Sequence, residues 1–510
     1  MENFNAISWI NTLPSGWKAV KLKYLLEQGK GSMKVGPFGS QLSGKDFTDE
    51  GYWVYNQKVV VNQDFDETDA FISEDKYNSM DGFQVETGDI LITTRGTIGR
   101  ICRVPKVYHP GIIHPCIIKF RIDEEKVLYN LVRLLFNESN MIKDQLDFMS
   151  NATTIDVVYS EPLKNVYIPI APLNVQCKLT SYLQDKCSDI DTMTADIQSE
   201  IDTLEKYKRS VITEAVTKGL DKNAELKDSG VFYIGPINKK WYMSKIGHVC
   251  SKLARSFNSE GLALICSNKG KVVIRDENAS GSMVSEDHAM QGIRKGDIAI
   301  HGMDTWHGAI ALSDYDGKIT RVVHVCDSSE DKRFIVYWLQ HLAFQGVYKL
   351  ISNGVRENTS DFRSWDKVKD IHIALPRTHE EEQKICNYLD ETCKNIESVI
   401  SKKTQQLDML AAYKKSLIYE YVTGKKEVPS SWQNCSIKPP LNRKKNTSTT
   451  SWTIWPNTTA MSSARRRSTT ACMPLTGNCF SVSSGRHSRK RWNSWRKSIR
   501  VNWKRPSSAF

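Results

Sequence analysis

Arginine side chains beside glycines, at the ends of predicted strands, are the residues of this sequence that most clearly suggest chemistry. Arg95 lies in TTRGTIGR, at the end of the β-branched run DILITT (89–94). An arginine in such a loop can enter a DNA groove and donate two hydrogen bonds to guanine. A surface ion pair explains Arg95 equally well. If the segment touches nucleic acid, Arg100 and Arg103 are predicted to contact phosphates rather than bases.

Further polar loops are also candidate contacts with nucleic acid. One surrounds GPFG (36–39), where glycine allows the backbone to approach a phosphate closely. The alternative there is a turn that only packs Phe38, and for the other loops it is a solvated turn or an ion pair. The predicted contacts are Lys34, Ser40, Gln41, Arg95, Arg100, Arg103, Ser267, Asn268, Lys269, Lys271, His301, Arg356 and Arg363.

Motifs for catalysis are missing from the sequence. It has no GxxxxGK[ST] phosphate loop and no NPPY or DPPY tetrapeptide of a DNA methyltransferase. KPPL (438–441) is not such a tetrapeptide, and no carboxylate cluster suggests a nuclease. The 12 cysteines include no CxxC pair, so no metal site is predicted. We therefore expect a binding protein with no cofactor of its own.

The chain repeats itself over long segments. YLQDKCSDIDTM from Tyr182 matches YLDETCKNIESV from Tyr388, and YKRSVITEAVT from Tyr207 matches YKKSLIYEYVT from Tyr413. A second pair, GDILITTRGTIG and GDIAIHGMDTWHG, precedes these blocks. A long internal repeat indicates two similar structural units. Two similar units would suit a ligand that has two parts.

Basic charge is concentrated at the end of the chain. The net charge is +12, but residues 433–510 contain 16 Lys and Arg without any Asp or Glu, and residues 1–432 carry a net charge of −4. The body can therefore bind nucleic acid only through local basic patches. The tail is either a disordered basic arm or the product of a wrong reading frame, which we favour. With no membrane span or secretion signal predicted, we expect a cytoplasmic protein.

Two mixed heads rich in strands are predicted, each followed by a proline and a long polar helix. The first head contains three β-branched runs and one segment of helical spacing, at residues 54–61, 89–94, 111–122 and 124–139. The second head repeats the plan with LALICSN, KVVIRD, GDIAIHG, RVVHVCD and a helix over 333–345.

The two long helices are predicted over 173–218 and 378–423. Their apolar residues recur at heptad spacing, which is typical of a coiled-coil seam, although Lys403 stands where the first helix has Ile197. Because the units run in series, we expect an antiparallel pair; the alternative is that each helix packs on its own head. The seam residues are Leu183, Ile190, Ile197, Leu204, Val211, Leu389, Ile396, Leu410 and Leu417.

These segments resemble the specificity subunit of a type I restriction-modification system. LPSGWKAVKLKYL (13–25) resembles the start of that family's first target-recognition domain, and KDSGVFYIGPINKKWYMSKIG (227–247) resembles the restart before the second. GPFGSQL and GDILITTRGTIGR resemble recognition-domain motifs, and IPIAP (168–172) with its helix resembles the family's spacer. The second head lacks GPFGSQL and has TWHGAI in place of TRGTIG, which indicates a different half-site.

The resemblance implies an α+β fold, in which two similar mixed α/β target-recognition domains are separated by two long helices that form an antiparallel coiled coil. The first target-recognition domain, first spacer helix, second target-recognition domain, second spacer helix and disordered or frameshifted tail are predicted at residues 1–172, 173–220, 221–376, 377–427 and 428–510.

The resemblance also implies a non-catalytic subunit that binds double-stranded DNA at a bipartite, asymmetric site. Its helices would dock methyltransferase subunits, two of them in the complex, and restriction subunits would complete it. AdoMet, ATP and Mg would belong to those partners. Two alternatives remain open: a segment of a fused restriction-methylation enzyme, and a scaffold whose heads bind protein.

Overall fold

The computed structural model describes residues 7–29, 31–150, 157–275, 289–352 and 360–432. These residues belong to one compact unit within Met1–Leu441. Arg356 and the predicted tail from residue 433 onward lie outside the described residues. Within the described ranges, none of the helices combines the length and apolar character that a membrane span requires.

The first head is built from strands and short helices that precede the first long helix. Its strands are β1 (Lys18–Lys21), β2 (Met33–Val35), β3 (Phe47–Thr48), β4 (Tyr52–Tyr55), β5 (Phe71–Ile72), β6 (Ile90–Thr93), β7 (Ile101–Arg103), β8 (Gly111–Ile113), β9 (Ile117–Phe120) and β10 (Tyr167–Ile170). Its helices are α1 (Gln57–Asn62), α2 (Glu74–Asn78), α3 (Tyr129–Arg133), α4 (Met141–Ser150) and α5 (Ser160–Asn165).

The second head lies between the long helices α6 (Leu173–Lys218) and α11, whose bounds are given below. Its strands are β11 (Leu226–Asp228), β12 (Pro236–Asn238), β13 (Tyr242–Lys245), β14 (Cys250–Lys252), β15 (Ala263–Ser267), β16 (Lys271–Ile274), β17 (Met290–Ile293), β18 (Ile298–His301), β19 (Ile310–Leu312), β20 (Gly317–Thr320), β21 (Val323–Ser328) and β22 (His372–Leu375). Its helices are α7 (Ile246–Val249), α8 (Lys332–Phe344), α9 (Val347–Leu350) and α10 (Trp365–Lys369), and α11 (His379–Val422) follows it.

Each head contains one sheet that carries its copy of the GDI segment. The strand order is β2-β9-β6-β7 in the first head and β14-β21-β18-β19 in the second. The central pairs have matching registers, with Ile92 opposite Ile118 and Ile300 opposite His324. The repeat in the sequence therefore corresponds to a repeat in the topology, as expected for two similar recognition domains.

The spacer helices form an antiparallel pair, which confirms the predicted α+β architecture. The helices contain 46 and 44 residues, about 69 and 66 Å at ~1.5 Å per residue. Lys208 Nζ lies 2.6 Å from a Glu397 carboxylate oxygen, and Lys414 Nζ lies 2.7 Å from Asp191. The residue numbers of the paired side chains rise along α6 while they fall along α11, as an antiparallel arrangement requires.

Each head is packed on the beginning of one spacer helix and the end of the other. The core of the first head includes Leu183 from α6 and Leu417 from α11. The core of the second includes Val211 from α6 and Leu389 from α11. Both heads therefore depend on both helices, and the alternative of a helix packed only on its own head is wrong.

Two local predictions for the first head were wrong. The run Val54–Val61 was expected to be one strand, but β4 ends at Tyr55 and α1 begins at Gln57. The Asn56 side chain accepts hydrogen bonds from the backbone N–H groups of Lys58 and Val59, at 2.9 and 3.4 Å. This N-cap starts a helix that buries Val59 and Val60, so tertiary packing overrides the β-propensity of the valines.

The predicted helix over 124–139 begins later than expected. α3 starts at Tyr129 and continues directly into a π-helical turn at Leu134–Glu138. Residues 123–127 instead form a turn in which Val127 N–H donates to the Asp123 carbonyl at 3.0 Å. The π-helical turn buries Leu134, Leu135 and Phe136 in the core.

Candidate nucleic-acid interface

The aspartate of the GDI repeat has a structural role in both heads. Asp89 is 2% exposed, and its carboxylate pairs with Arg121 at 2.5 Å and accepts the Glu86 N–H at 2.9 Å. Asp297 is 3% exposed and binds the guanidinium of Arg255 through two hydrogen bonds, at 2.9 and 3.0 Å. The repeated motif therefore fixes the turn before the central strand, and the candidate contacts lie at the other end of that strand.

One edge of the first head's GDI sheet brings two sequence motifs together. Gly36 N–H donates to the Ile117 carbonyl at 2.9 Å, and Ile117 is paired with Thr93. A side chain at Gly36 would come within 2.2 Å of the His114 carbonyl oxygen, so this close approach requires glycine. The GPFGSQL segment and the turn that contains Arg95 consequently leave the sheet at the same edge, which we call the first edge.

The turn after β6 is held by several hydrogen bonds and presents Arg95 to solvent. Thr93 Oγ1 accepts the Arg100 N–H at 3.0 Å, and the Thr93 carbonyl accepts the Gly99 N–H at 2.9 Å. With its amide oriented to suit both neighbours, Gln57 donates to the Arg95 carbonyl at 2.8 Å and accepts from Thr97 N–H at 2.7 Å. Arg95 is exposed, and its guanidinium has no ion-pair partner among the described residues.

The neighbouring arginines of this segment are already engaged within the protein. Arg100 donates to the Asn137 carbonyl at the π-helical turn. Arg103 pairs with Glu124 at 2.7 Å and lies over the ring of Tyr129. It stands opposite Ile90 in the register, at the far end of the hairpin from Arg95. A phosphate contact by either residue would compete with these bonds, so Arg95 is the best placed of the three.

The GPFGSQL loop also exposes side chains at the first edge. Ser40 and Gln41 are exposed, and Gln41 Oε1 accepts the Phe38 N–H at 3.1 Å. Phe38 is 57% exposed, so the alternative in which this turn serves to pack Phe38 is not supported. Lys34 lies in β2, two residues before Gly36, with its Nζ 4.5 Å from the ring centroid of Phe83.

In the second head, the corresponding turn follows β18. His301 Nδ1 accepts the backbone N–H groups of Met303 and Asp304, at 3.4 and 3.1 Å, and burial lowers the pKa of His301. His301 therefore holds the turn together, which limits it as a DNA contact. Arg363 is exposed beside the same turn, and its Nη2 lies 3.0 Å from the sulfur of Met303.

The loop that joins β15 to β16 faces the body of the protein on one side. Lys271 Nζ lies 2.8 Å from Glu397 on α11. A side chain at Gly270 would come within 2.6 Å of the Gln340 amide on α8. Ser267 is half-buried, whereas Asn268 and Lys269 are exposed. Of these four predicted contacts, Asn268 and Lys269 are exposed and have no side-chain ion pair within the described ranges.

Tyr159 was not predicted as a contact, yet it lies at the first edge and is 65% exposed. The preceding residue, Val158, donates its N–H to the Thr94 carbonyl at 2.9 Å, directly before Arg95. Thr94 and Val158 are 64 positions apart in the chain, so no local pattern could have associated the two segments.

Comparisons with known proteins agree with this arrangement. Residues 14–203 match the family model of the type I restriction modification DNA specificity domain. The chain is 24% identical over 445 residues to the type I restriction enzyme MjaVIII specificity subunit of Methanocaldococcus jannaschii, covering 83% of this chain and 96% of that protein. It is 25% identical over 256 residues to the putative MjaX specificity subunit of the same organism, covering 48% and 55%.

A solved chain from work on complex assembly and conformational transition of a type I R-M system has the same fold, with a TM-score of 0.56 at 16% identity. The alignment covers 81% of this chain and 99% of that chain. The match of the first head to a DNA specificity domain, together with a second head that has the same sheet order, indicates a protein that recognises DNA sequence. The chain is thus similar to specificity subunits of type I restriction-modification systems, through the family model over residues 14–203 and through a 24% identical relative that aligns with 83% of the chain.

Proposed function

We propose that each head reads one half of a bipartite, asymmetric DNA site and that the spacer helices fix the separation of the halves. The observation that carries this proposal is the equivalence of the two GDI sheets, whose edges present different side chains. The first edge exposes Arg95, and the corresponding turn of the second head has Met303 with Arg363 beside it. Similar scaffolds with different side chains are suited to two different half-sites.

An exchange of heads tests this proposal directly. Residues 14–172 are replaced by the corresponding head of another specificity subunit, and the DNA site is determined by selection from a randomised pool. One half-site should change while the other half and its distance stay the same. The matched control replaces the second head, residues 221–376, and should change the other half-site. A change in both halves from either exchange would contradict separate reading.

The spacer helices are proposed to dock two methyltransferase subunits at equivalent places. Tyr207 on α6 and Tyr413 on α11 occupy the same position in the repeat and are 55% and 52% exposed. Exposed tyrosines are enriched at the centres of protein interfaces. Two such residues on an approximately two-fold arrangement suit two copies of one partner. AdoMet, ATP and Mg would be bound by the methyltransferase and restriction subunits.

The stoichiometry of assembly tests this docking. Tyr207→Ala and Tyr413→Ala should each leave a complex with one methyltransferase subunit at limiting concentration, and the double variant should bind none. Native mass spectrometry measures the number of subunits. Tyr24→Ala, which removes a tyrosine that is 62% exposed in the first head, is the control and should keep two. Full occupancy in the double variant would reject this surface.

A further inference from the structure

The residue that follows the central strand differs between the two heads. In the aligned GDI segments, Arg95 of the first head corresponds to Met303 of the second. The registers support this correspondence, because Thr93 is paired with Ile117 and His301 with Val323. The second head therefore has no arginine at the position from which the first head projects one.

A second segment of each head passes this position in the same way. Val158 N–H donates to the Thr94 carbonyl at 2.9 Å in the first head, and Phe362 N–H donates to the Gly302 carbonyl at 3.0 Å in the second. Thr94 and Gly302 directly precede Arg95 and Met303. The residues after the two donors, Tyr159 and Arg363, are consequently equivalent in space. Each is followed within two residues by a short helix, α5 or α10.

The four side chains form one pair in each head, and each pair contains one arginine. In the first head the arginine follows the central strand, and in the second head it belongs to the segment that passes the end of that strand. The first head combines Arg95 with Tyr159, which is 65% exposed. The second combines Met303 with Arg363, whose Nη2 lies 3.0 Å from the Met303 sulfur. Met303 is the residue of the second head that is equivalent to Arg95. The contact therefore places the Arg363 guanidinium next to the position that Arg95 occupies in the first head. Both arginines are exposed.

We propose that Arg95 and Arg363 are equivalent specificity-determining residues, each of which binds a guanine at the corresponding position of its own half-site. Guanine offers two acceptors, O6 and N7, to the two donors of a guanidinium in the major groove. In the second head the uncharged Met303 contacts the guanidinium of Arg363, and in the first head the uncharged Tyr159 occupies the place equivalent to Arg363. This inference rests on the proposed function, because it requires that the heads read DNA.

The test moves the arginine of the second head between the two segments. Full-length chains, assembled with the methyltransferase subunits, select sites from a randomised DNA pool at fixed salt. Arg363→Tyr should lower the preference for guanine at one position of one half-site by about 10-fold or more. The double variant Met303→Arg, Arg363→Tyr, which has the first head's pair, should restore the preference at that position. Arg377→Ala, an exposed arginine of the same head that donates to the Lys240 carbonyl, should change nothing.

The outcomes separate this inference from the proposed function. A wild-type complex that selects no defined site would reject the proposed function itself. If the wild type selects a bipartite site and Arg363→Tyr keeps every base preference, the assignment of Arg363 is wrong. Loss without restoration in a double variant that unfolds at the wild-type temperature would reject the equivalence of the two positions. A parallel Arg95→Tyr variant should lose the preference for guanine in the other half-site only. Loss of the preference in the half-site that Arg363→Tyr affects would contradict the proposal.

Discussion

Lys271 illustrates, at the scale of a single residue, how an exposed lysine in a loop can be engaged by the protein itself. Its ammonium group shares the carboxylate of Glu397 with Lys208, at 2.8 and 2.6 Å. Burial acts to raise the pKa of Glu397, but the hydrogen bonds from the two lysines lower it below its ordinary value. The second head is thus linked to both spacer helices through one carboxylate.

We expect Lys271→Ala to act on stability and not on DNA binding. The Lys271 side chain is 61% exposed, so the loss of unfolding free energy should be under about 1 kcal/mol. Lys208→Ala, which removes the other partner of Glu397, is the control and should cost more, because the Lys208 side chain is only 26% exposed. The salt dependence of DNA affinity should equal that of the wild type for both. If the slope of log affinity against log salt concentration fell by about one for Lys271→Ala alone, Lys271 would be identified as a phosphate contact.

Glu382 of α11 is a buried carboxylate, whereas the equivalent residue of α6 in the repeat is the amide Gln176. In the first head, Gln176 accepts the Leu128 N–H at 3.0 Å and donates to the Ala171 and Lys126 carbonyls at 2.8 and 3.0 Å. Glu382, at the equivalent position of α11, is 1% exposed, and its Oε2 accepts the Asp331 N–H at 3.1 Å. Its Oε1 is buried without a hydrogen-bond partner among the described residues, and burial raises the pKa of Glu382.

Glu382→Gln should stabilise the protein, and more so at neutral than at acidic pH. Because the folded pKa of Glu382 is raised, its favourable contribution is complete below the unfolded pKa and is lost as the pH rises through the folded pKa. A glutamine can donate as Gln176 does, which should raise the unfolding free energy by about 1–3 kcal/mol near neutral pH. The exposed His379, 3.2 Å from Glu382 Oε2, loses only a surface ion pair.

Urea unfolding of the wild type and the Glu382→Gln variant at several pH values measures this effect. The difference between the two unfolding free energies should grow from about pH 4 to about pH 7. The hydrogen bond to Glu382 raises the pKa of His379, and its loss in the variant changes the difference in the same direction, while groups remote from Glu382 cancel. Gln176→Glu provides the reverse control and should destabilise the first head with the same pH dependence. A difference that does not vary with pH would show that Glu382 is ionised at no cost.

At the scale of elements, burial along the helix seam is uneven. Leu183 and Leu389, near the heads, are 0% exposed, whereas Ile197 and Leu204 in the middle are only half-buried. Lys403, which stands at the repeat position of Ile197, forms an ion pair with Glu200 of the other helix. The ends of the spacer thus belong to the cores of the heads, and its middle combines half-buried seam residues with the buried Ile201 and Ile396.

Truncation at the ends of the seam should therefore cost more than truncation in the middle. Leu389→Ala should lower the unfolding free energy by about 2–5 kcal/mol, as expected for a buried leucine. Leu204→Ala is the control with the same change of side chain, and should cost about 1 kcal/mol because less apolar area leaves water on folding. Chemical denaturation of the full chain measures both. Equal losses would show that the middle of the spacer is as tightly packed as its ends.

At the scale of the whole molecule, the end of α11 packs against the start of the first head. A side chain at Gly424 would come within 2.4 Å of Pro14 at the start of that head. Trp432 packs edge-on against Tyr182 with ring centroids 5.4 Å apart, and Tyr182 lies 5.0 Å from Tyr421. The residues up to Trp432 are thus part of the folded body.

Two truncations distinguish this body from the basic segment that follows it. Truncation after Trp432 removes 16 positive charges and should preserve thermal stability, assembly and site selectivity, although non-specific DNA affinity should fall. Truncation after Gly424 should lower the unfolding temperature, because Tyr182 loses its ring contact with Trp432. Thermal unfolding and footprinting measure these effects. Loss of selectivity after the first truncation would show that residues 433–510 take part in recognition.

The sequence by itself determined the features that depend on pattern and repetition. The match between the blocks from Tyr182 and Tyr388 implied two equivalent units, and the heptads implied a helix pair. Both features are present in the structure, with α6 and α11 antiparallel. Such patterns are readable because hydrophobic periodicity and internal similarity are properties of the chain before it folds.

Only the tertiary structure decided which side chains are free to bind. Arg95 and Arg103 are both arginines of one hairpin, yet Arg95 is exposed with no ion-pair partner among the described residues, and Arg103 is paired with Glu124. Arg363 reaches Met303 from 60 residues away, a proximity that no local pattern contains. Partners of this kind are chosen by long-range packing, since the register of the sheet and the crossing of segments set which groups meet.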